Sequence, residues 1–369
     1  MIETLRTLSI EQQIGQLFIV GINGPDIDAD TEALLNDVEP GGICLFARNI
    51  RNLEQTRQLT DDLRRKLPVL PILAMDQEGG LVDRLRRVLS PMPAAERIRD
   101  VREARTLAAV VSEALLGLGL NMDFAPVVDV IDSERRGSLN GLTSRTFGTT
   151  KEDATELAGE FLKVLQSEGI LGCLKHFPGL GASTVDSHEE LPVVNVTEEE
   201  LSSTDLYPYR ELIRSCIVNA IMVGHAAYPA TTMQEKDPEG RLLPSSMSFR
   251  FVTGLLREQL GFQGLVITDD LEMGAIMRNY GIGEACVRAI LAGVDLLAIC
   301  ADPLLIREGF HTVMRAFAEG RIERGRIDES LKRIARTKEK LTAPLPFAVR
   351  DLERLSSRIE KFAGQAVQT

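Results

Sequence analysis

Short apolar runs alternate with longer amphipathic stretches along most of this chain. Eight runs are almost continuously apolar, as is typical of strands in a parallel sheet that is covered on both faces. They are Gln16–Ile22, Gly41–Ala47, Pro71–Met75, Asn121–Val128, Gly172–His176, Ala220–Gly224, Leu265–Thr268 and Leu296–Cys300. The stretches between them carry helical patterns, the clearest being Leu53–Lys66, Val101–Leu118, Lys151–Ser167, Glu198–Arg214, Phe249–Gln259 and Gly283–Leu291.

This alternation of strand and helix predicts the fold class. Eight strand–helix units favour an α/β fold of the (β/α)8 TIM-barrel type, with a doubly wound open sheet as the alternative. Residues 322–363 are charged and helix-patterned, and we expect them to pack as extra C-terminal helices on the barrel exterior. We therefore predict one catalytic barrel domain over residues 1–369, with a core at about 8–340 and a helical extension at 341–369.

Composition narrows the class of protein. The chain has 369 residues, of which 44% are hydrophobic and 26% charged, as in ordinary globular proteins. A net charge of -12 argues against a nucleic-acid or anionic-membrane partner, and no apolar run is long enough to predict a transmembrane helix. The first 13 residues show no secretory signal, and five scattered cysteines indicate reduced thiols. We expect a cytoplasmic protein.

Polar side chains follow the predicted strands at their C-terminal ends. They are Asp76 and Arg84 after the third run, Arg145 after the fourth, Lys175 and His176 at the end of the fifth, His225 after the sixth, and Asp269 with Asp270 at the end of the seventh. In a barrel these ends form the active-site face. Taken alone, Asp123 and Asp129 are best interpreted as buried hydrogen-bond acceptors, and Asp270 as the cap of the following helix. His225 could be a core histidine. Together, the charged groups from five strands predict a site for a polar ligand.

The segment from Lys175 to His188 holds two of the four histidines. It begins as a strand and breaks at Pro178 and Gly179, so the Asp186-Ser187-His188 sequence lies on a loop. A carboxylate two residues from a histidine can orient the imidazole and raise its basicity. The alternative for such a triplet is an ordinary loop histidine beside a solvated aspartate.

Five motifs, in order, are similar to the motif set of glycoside hydrolase family 3. They are Asp76-Gln-Glu-Gly-Gly-Leu-Val-Asp-Arg84, Asn121-Met-Asp-Phe-Ala-Pro-Val-Val-Asp-Val130, Ser144-Arg-Thr-Phe-Gly148, Lys175-His-Phe-Pro-Gly179 with Asp186-Ser-His188, and Ile267-Thr-Asp-Asp-Leu-Glu-Met273. The resemblance runs from about residue 8 to residue 340. Within the family, the chain most resembles the single-domain bacterial β-N-acetylglucosaminidases.

The resemblance implies a role for each matching residue. Asp269 matches the nucleophile, and His188, paired with Asp186, matches the acid/base. The residues that match those holding the hydroxyl groups of the sugar are Asp76, Arg84, Arg145, Lys175 and His176, and His225 matches a residue lining the pocket. Larger β-glucosidases of the family take their acid/base from a second domain, whereas here we expect it to come from the barrel.

The resemblance also implies an activity: a retaining exo-β-N-acetylglucosaminidase, acting on peptidoglycan (muropeptide) fragments through a covalent glycosyl-Asp intermediate. A glycosidase needs a nucleophile or base on one side of the anomeric carbon and a proton donor on the other, and Asp269 with His188 meets that need. The expected partner is a small carbohydrate, with no nucleic acid, membrane, metal or cofactor, and the expected state is a monomer.

Two positions depart from the usual motifs, and other activities stay open. Leu180 stands where many of these enzymes have histidine, and Leu81 stands where arginine is usual. A glycoside phosphorylase is one alternative, because a histidine acid/base would not repel phosphate. A β-glucosidase or β-xylosidase is another, and a non-catalytic sugar-binding or regulatory protein is a third. The abrupt turn at Phe177-Pro178 also makes that bond a candidate cis peptide.

Overall fold

Eight parallel strands close into a barrel in the computed structural model, which describes residues 1–136, 141–183, 190–215 and 217–367. We number them in chain order: β1 Phe18–Gly21, β2 Gly42–Cys44, β3 Ile72–Met75, β4 Met122–Asp123, β5 Leu171–Phe177, β6 Ala220–Val223, β7 Leu265–Asp270 and β8 Leu296–Ile299. Each lies within or overlaps one of the eight apolar runs of the sequence, because a strand covered on both faces needs apolar residues at every position.

The first strand closes the barrel. Ile19 of β1 lies opposite Gly42 of β2 on one side and Ala298 of β8 on the other. The remaining strands pair with their sequence neighbours, so the order around the barrel follows the chain. The predicted (β/α)8 barrel is therefore confirmed, and the doubly wound open sheet was the wrong alternative.

A helix follows every barrel strand and covers its outer face. The eight helices are Ala29–Val38, Leu53–Lys66, Val101–Gly117, Lys151–Ser167, Tyr207–Arg214, Arg250–Gln259, Ile282–Ala292 and Pro303–Ala318. Polar side chains fix where several of them begin: Asn52, Asp100 and Thr150 each accept a hydrogen bond from the backbone N–H three residues later. Such caps satisfy N–H groups that the first helical turn leaves unpaired.

Two local features differ from the predicted elements. The predicted strand Asn121–Val128 is a regular strand only at Met122–Asp123, since Pro126 has no N–H to donate to a ladder. A two-stranded hairpin, Gln77–Gly79 with Val82–Asp83, follows β3 and was not predicted. The Phe177-Pro178 bond is cis as predicted, and Ala125-Pro126 and Lys175-His176 are cis as well.

Two further helices, Arg324–Lys338 and Val349–Val367, follow the last barrel helix. The second packs on the barrel exterior, where Leu352 lies against Gly117 and the Ser356 hydroxyl accepts a hydrogen bond from the Ser90 backbone N–H. A domain boundary near residue 340 stays a prediction. None of the helices in the described ranges is long and apolar enough to cross a membrane.

Lys338 is a buried charge site at the N-terminal end of the barrel. Its side chain is 2% exposed, and its Nζ donates to Gln16 Oε1 at 2.7 Å just before β1. No carboxylate pairs with it among the described residues. Burial therefore lowers the pKa of Lys338 to about 7.

This burial predicts a pH dependence of stability. The unfolded chain binds the Lys338 proton with a pKa of about 10.4, so lowering the pH from about 10 to about 7 favours the unfolded state. Lys338→Met has no proton to bind on unfolding, so its stability should not fall between pH 10 and pH 7. We expect its free energy of unfolding at pH 7 to exceed that of wild type by about 3 kcal/mol. Urea unfolding of wild type and variant across that pH range measures the difference.

Lys361→Met is the matched control, because Lys361 lies on the exposed face of Val349–Val367. It should leave the pH profile of wild type unchanged. Parallel stability curves for Lys338→Met and wild type from pH 7 to 10 would show that Lys338 stays charged in the folded protein.

Candidate active site

A cavity of about 170 Å³ opens at the C-terminal ends of the barrel strands. It brings together six of the residues predicted from the sequence: Asp76, Arg84, Arg145, Lys175, His176 and Asp269. Its apolar lining includes Phe46, Val82, Phe124, Leu142, Leu180, Met222 and Met273. The barrel thus places charged groups from β3, β5 and β7 and from the β4 loop around one small space.

A buried ammonium lies at the centre of the polar side of the cavity. Lys175 Nζ is 2.6 Å from Asp76 Oδ1 and 2.6 Å from Glu78 Oε1. Burial alone would lower the pKa of Lys175, but the two carboxylates raise it well above its usual value, so the side chain carries a full charge. Lys175 therefore joins the end of β5 to the segment that follows β3.

Glu78 also binds a second cation. Its two carboxylate oxygens accept from Nε and Nη2 of Arg145 at 2.8 and 2.9 Å. Burial opposes ionisation of Glu78, yet Lys175 and Arg145 together hold its pKa far below the usual range. Bidentate pairs of this kind fix the plane of the guanidinium, so Glu78 determines how Arg145 faces the cavity.

Glu78 was not among the site residues predicted from the sequence. Asp76 and Glu78 are two residues apart in extended chain, which puts both side chains on the same face. That spacing, together with Lys175 at a strand end and Arg145 in a loop on the same face of the barrel, was the available signal. The glycine pair after it was also informative, because Gly79 and Gly80 adopt positive φ angles of 87° and 58° and form the hairpin turn that carries Leu81.

Arg84 supplies a second cation at the cavity wall. Its Nη2 lies 3.4 Å from Asp76 Oδ2, and its guanidinium lies over the Phe46 ring at 5.5 Å from the centroid. The Nε of Arg84 is buried and has no hydrogen-bond partner in the described part of the chain. A buried donor without a partner is costly, so placing Arg84 at the cavity wall lowers the stability of the fold.

Asp129 holds His176 in one orientation. Its Oδ2 accepts from His176 Nδ1 at 2.8 Å and from the His176 backbone N–H at 3.2 Å, and its Oδ1 accepts from the Leu180 N–H at 2.7 Å. With Nδ1 protonated, His176 Nε2 is the acceptor that faces Arg145 Nη2 at 3.4 Å. The interpretation of Asp129 as a buried acceptor is confirmed.

Asp123 is the other buried acceptor predicted from the sequence, and that interpretation is also confirmed. It is fully buried, and its Oδ1 accepts from the Gln77 N–H at 2.9 Å. Burial raises the pKa of Asp123 well above its usual value. Asp123 thus anchors the backbone between Asp76 and Glu78, and its side chain does not line the cavity.

Asp269 is the ionised carboxylate at the end of β7. Burial would raise its pKa, but the Asp270 N–H, which donates to Oδ1 at 2.9 Å, and the positive charge of Lys175 lower it. Asp269 lines the cavity together with Lys175 and Arg145. A carboxylate held in its charged form beside a cavity is suited to attack an electrophilic carbon.

His225 supports the strand end that carries Asp269. It is fully buried, with Nδ1 at 2.7 Å from Ser246 Oγ and Nε2 at 3.1 Å from the Asp270 carbonyl. Burial lowers its pKa, so the ring is neutral and Nε2 donates to that carbonyl. Its side chain does not line the cavity in the described structure.

Asp270 does not cap a helix, so that expectation was wrong. Its Oδ1 accepts from the Glu272 N–H at 3.1 Å, and the next helix, Gly274–Met277, begins later. Burial and the Glu272 charge raise the pKa of Asp270 to about 7. Glu272 in turn accepts from three successive N–H groups after β8, those of Cys300, Ala301 and Asp302, which ties the β7 loop to the β8 loop.

The two positions that depart from the usual motifs have different surroundings. Leu180 is 5% exposed and lines the cavity, whereas Leu81 is 71% exposed at the tip of the hairpin.

The predicted dyad, Asp186 and His188, lies outside the described residues. Ser183, the last described residue before it, lines the cavity. No cluster of three or more His, Cys, Asp or Glu that could hold a metal occurs in the part of the chain described here.

Removing the Glu78 charge should destabilise the fold. The Glu78 side chain is 3% exposed, so Glu78→Gln leaves Lys175 and Arg145 with one buried counter-charge fewer, and we expect a loss of about 3 kcal/mol in unfolding free energy. Glu329→Gln is the control, because Glu329 is 58% exposed where it pairs with Arg326, and we expect a change under about 1 kcal/mol. Urea unfolding measures both, and equal losses would contradict a central role for Glu78.

Known proteins with similar sequences share one family. The family model described as Glycosyl hydrolase family 3 N terminal domain matches residues 9–337. A beta-hexosaminidase from Pseudomonas aeruginosa (strain LESB58) is 34% identical over 291 residues, which are 77% of this chain and 82% of that protein. Beta-hexosaminidase A from Pseudoalteromonas piscicida is 31% identical over 335 residues, 84% of this chain and 54% of that protein, so the chain spans about half the length of that relative.

Solved structures agree with the sequence relatives. A glycoside hydrolase family 3 beta-N-acetylglucosaminidase from Paenibacillus sp. str. FPU-7 matches with a TM-score of 0.87 and 31% identity, covering 97% of this chain and 69% of that one. A glycosyl hydrolase of the same family from Mycobacterium smegmatis str. MC2 155 matches with a TM-score of 0.80 and 30% identity, covering 93% and 99%. With the family model matched across the whole barrel, this chain belongs to glycosyl hydrolase family 3 and is a glycoside hydrolase.

Proposed function

We propose that this protein is a retaining exo-β-N-acetylglucosaminidase, with Asp269 as its nucleophile. The observation that carries the proposal is the ionised Asp269 carboxylate in the same cavity as the Lys175–Glu78–Arg145 network. Asp269 attacks the anomeric carbon and displaces the leaving group, and water then releases the sugar. Two displacements at one carbon retain the anomeric configuration.

The charged wall of the cavity is suited to an uncharged sugar. Asp76 offers carboxylate oxygens as acceptors, while Lys175, Arg145 and Arg84 offer donors. Alternating acceptors and donors match the hydroxyl groups of a pyranose, each of which donates and accepts. The cavity volume of about 170 Å³ suits one terminal sugar rather than an internal stretch of polysaccharide, which favours exo-hydrolysis.

His188 is the proposed acid/base, with Asp186 as its orienting partner. It protonates the departing oxygen in the first step and takes a proton from the attacking water in the second. An imidazole can do both near neutral pH because its ordinary pKa is about 6.5. Ser183 lines the cavity and precedes His188 by five residues in the chain, which supports a place for His188 at this site.

The names of the relatives support the choice of sugar. The Paenibacillus protein is called a beta-N-acetylglucosaminidase, and several sequence relatives are called beta-hexosaminidases. We propose N-acetylglucosamine at the non-reducing end of peptidoglycan (muropeptide) fragments as the natural substrate. We also propose a cytoplasmic monomer, which is consistent with the free thiols of the four described cysteines.

A panel of nitrophenyl glycosides tests this function. The β-N-acetylglucosaminide should be hydrolysed faster than the β-glucoside and β-xyloside, and added phosphate should give no sugar 1-phosphate. Asp269→Ala should lower kcat by at least about 1,000-fold and abolish labelling by a fluorinated sugar that traps the covalent intermediate. A preference for glucoside or xyloside, or formation of sugar 1-phosphate, would replace the proposal with one of the alternatives, and no turnover at all would favour a non-catalytic sugar-binding protein.

The role of His188 is tested through the leaving group. His188→Ala should lower turnover of substrates with poor, alkyl leaving groups by about 100- to 10,000-fold, because these need a proton in the first step. Activated aryl glycosides need little protonation, so their first step should be far less affected. His311→Ala is a control, since His311 is exposed on Pro303–Ala318. Equal losses on both substrate types would argue against an acid role.

A further inference from the structure

Two cysteine thiols meet on the wall of the substrate cavity. Cys44 ends β2 and Cys300 directly follows β8, and both line the cavity although they are only 1% and 4% exposed. The two strands flank β1, where Gly21 is paired with Cys44 and Val20 with Ile299, so both cysteines lie level with Gly21. Alternate barrel strands contribute side chains to the same interior layer, which brings these two side chains together.

Only glycine fits at position 21, between the two cysteine positions. A Cβ there would lie 1.9 Å from the Cys300 carbonyl oxygen and 2.9 Å from Arg48 Nη2, so position 21 places no side chain between the cysteines. The Cys44 side chain, burial and the Asp270 charge raise the pKa of Cys300. The Cys300 thiol is therefore protonated at neutral pH.

A disulfide does not suit this arrangement. Strands two apart are separated by about 9 Å, whereas a disulfide needs Cα atoms within about 7 Å. The backbone is also held in place, since the Cys300 N–H donates to Glu272 Oε2 at 2.7 Å and its carbonyl accepts from the Arg48 guanidinium. A bridging atom between the two sulfurs spans this separation better than a direct sulfur–sulfur bond.

We propose that Cys44 and Cys300 form a two-coordinate site for a soft divalent cation, with Hg²⁺ as the probe, and that an occupied site excludes sugar from the cavity. A linear ion with metal–sulfur bonds of about 2.3 Å holds the sulfurs about 4.6 Å apart. Thiolates select soft metals, and two of them suffice for linear coordination. Exclusion of sugar rests on the proposed function, but binding of the ion does not.

The charge balance favours a divalent ion. Binding converts two thiols and one Hg²⁺ into a neutral sulfur–mercury–sulfur bridge, and it releases two protons to the buffer without any change of oxidation state. A neutral product suits a buried wall, where a monovalent ion would leave one net negative charge beside Asp76 and Asp270. Those carboxylates also attract the incoming cation.

Titration of the reduced protein with Hg²⁺ tests the site directly. Each protein variant carries Cys216→Ala, because Cys216 lies outside the described residues. Native mass spectrometry should show one tightly bound ion per chain, and proton release should be two per ion. Cys44→Ser and Cys300→Ser should each lose this complex, while Cys286→Ala, which removes a thiol buried in Ile282–Ala292, should keep it.

Circular dichroism confirms that each variant is folded, and the two serine variants test the site independently. Persistence of the two-proton complex in either serine variant, or its loss in Cys286→Ala, would overturn the proposal. In the active enzyme, bound Hg²⁺ should abolish hydrolysis of the N-acetylglucosaminide, and prior addition of N-acetylglucosamine should slow the loss. A protein that binds Hg²⁺ at these thiols but hydrolyses no glycoside would refute the proposed function alone, and a hydrolase without the complex would refute this site alone.

Discussion

The ammonium of Lys175, buried between the carboxylates of Asp76 and Glu78, constrains the whole active-site face. A buried cation is tolerated only where opposite charges surround it, so the segment after β3 must lie against the end of β5. Asp123 holds that segment by accepting from the Gln77 N–H, and Glu78 fixes the position of Arg145 by accepting from its guanidinium. The cavity wall is thus one network, whose members cannot be repositioned singly.

Support for two residues of the cavity wall, His176 and Asp269, comes from residues that do not line the cavity. Asp129 fixes the tautomer and direction of His176, and His225 holds the carbonyl of Asp270 next to Asp269. Both are fully enclosed, and enclosure gives their hydrogen bonds the low-dielectric surroundings in which such bonds are strong. The functional residues therefore depend on a supporting layer that is built into the ends of β4, β6 and β7.

The sequence predicted the barrel and most of the cavity wall for different physical reasons. The barrel follows from eight apolar runs, because doubly covered strands leave a strong and simple pattern. Asp76, Lys175 and Asp269 follow from their position at strand ends and from the family motifs. Glu78, the hairpin at Gly79 and Gly80, and the true role of Asp270 did not follow, because ion pairs across strands and turn geometry depend on three-dimensional neighbours. The placement of Asp186 and His188 stays a prediction.

The carboxylate of Glu272, which accepts three consecutive backbone N–H groups after β8, makes one half of the rim intolerant of length variation. A residue inserted in either connected loop would leave at least one of these N–H groups without its acceptor, which would lower the stability of the fold. Natural or engineered variants that enlarge the site should therefore carry their insertions on other loops. The β7–β8 side of the rim should then keep its length while loops elsewhere change the acceptor specificity.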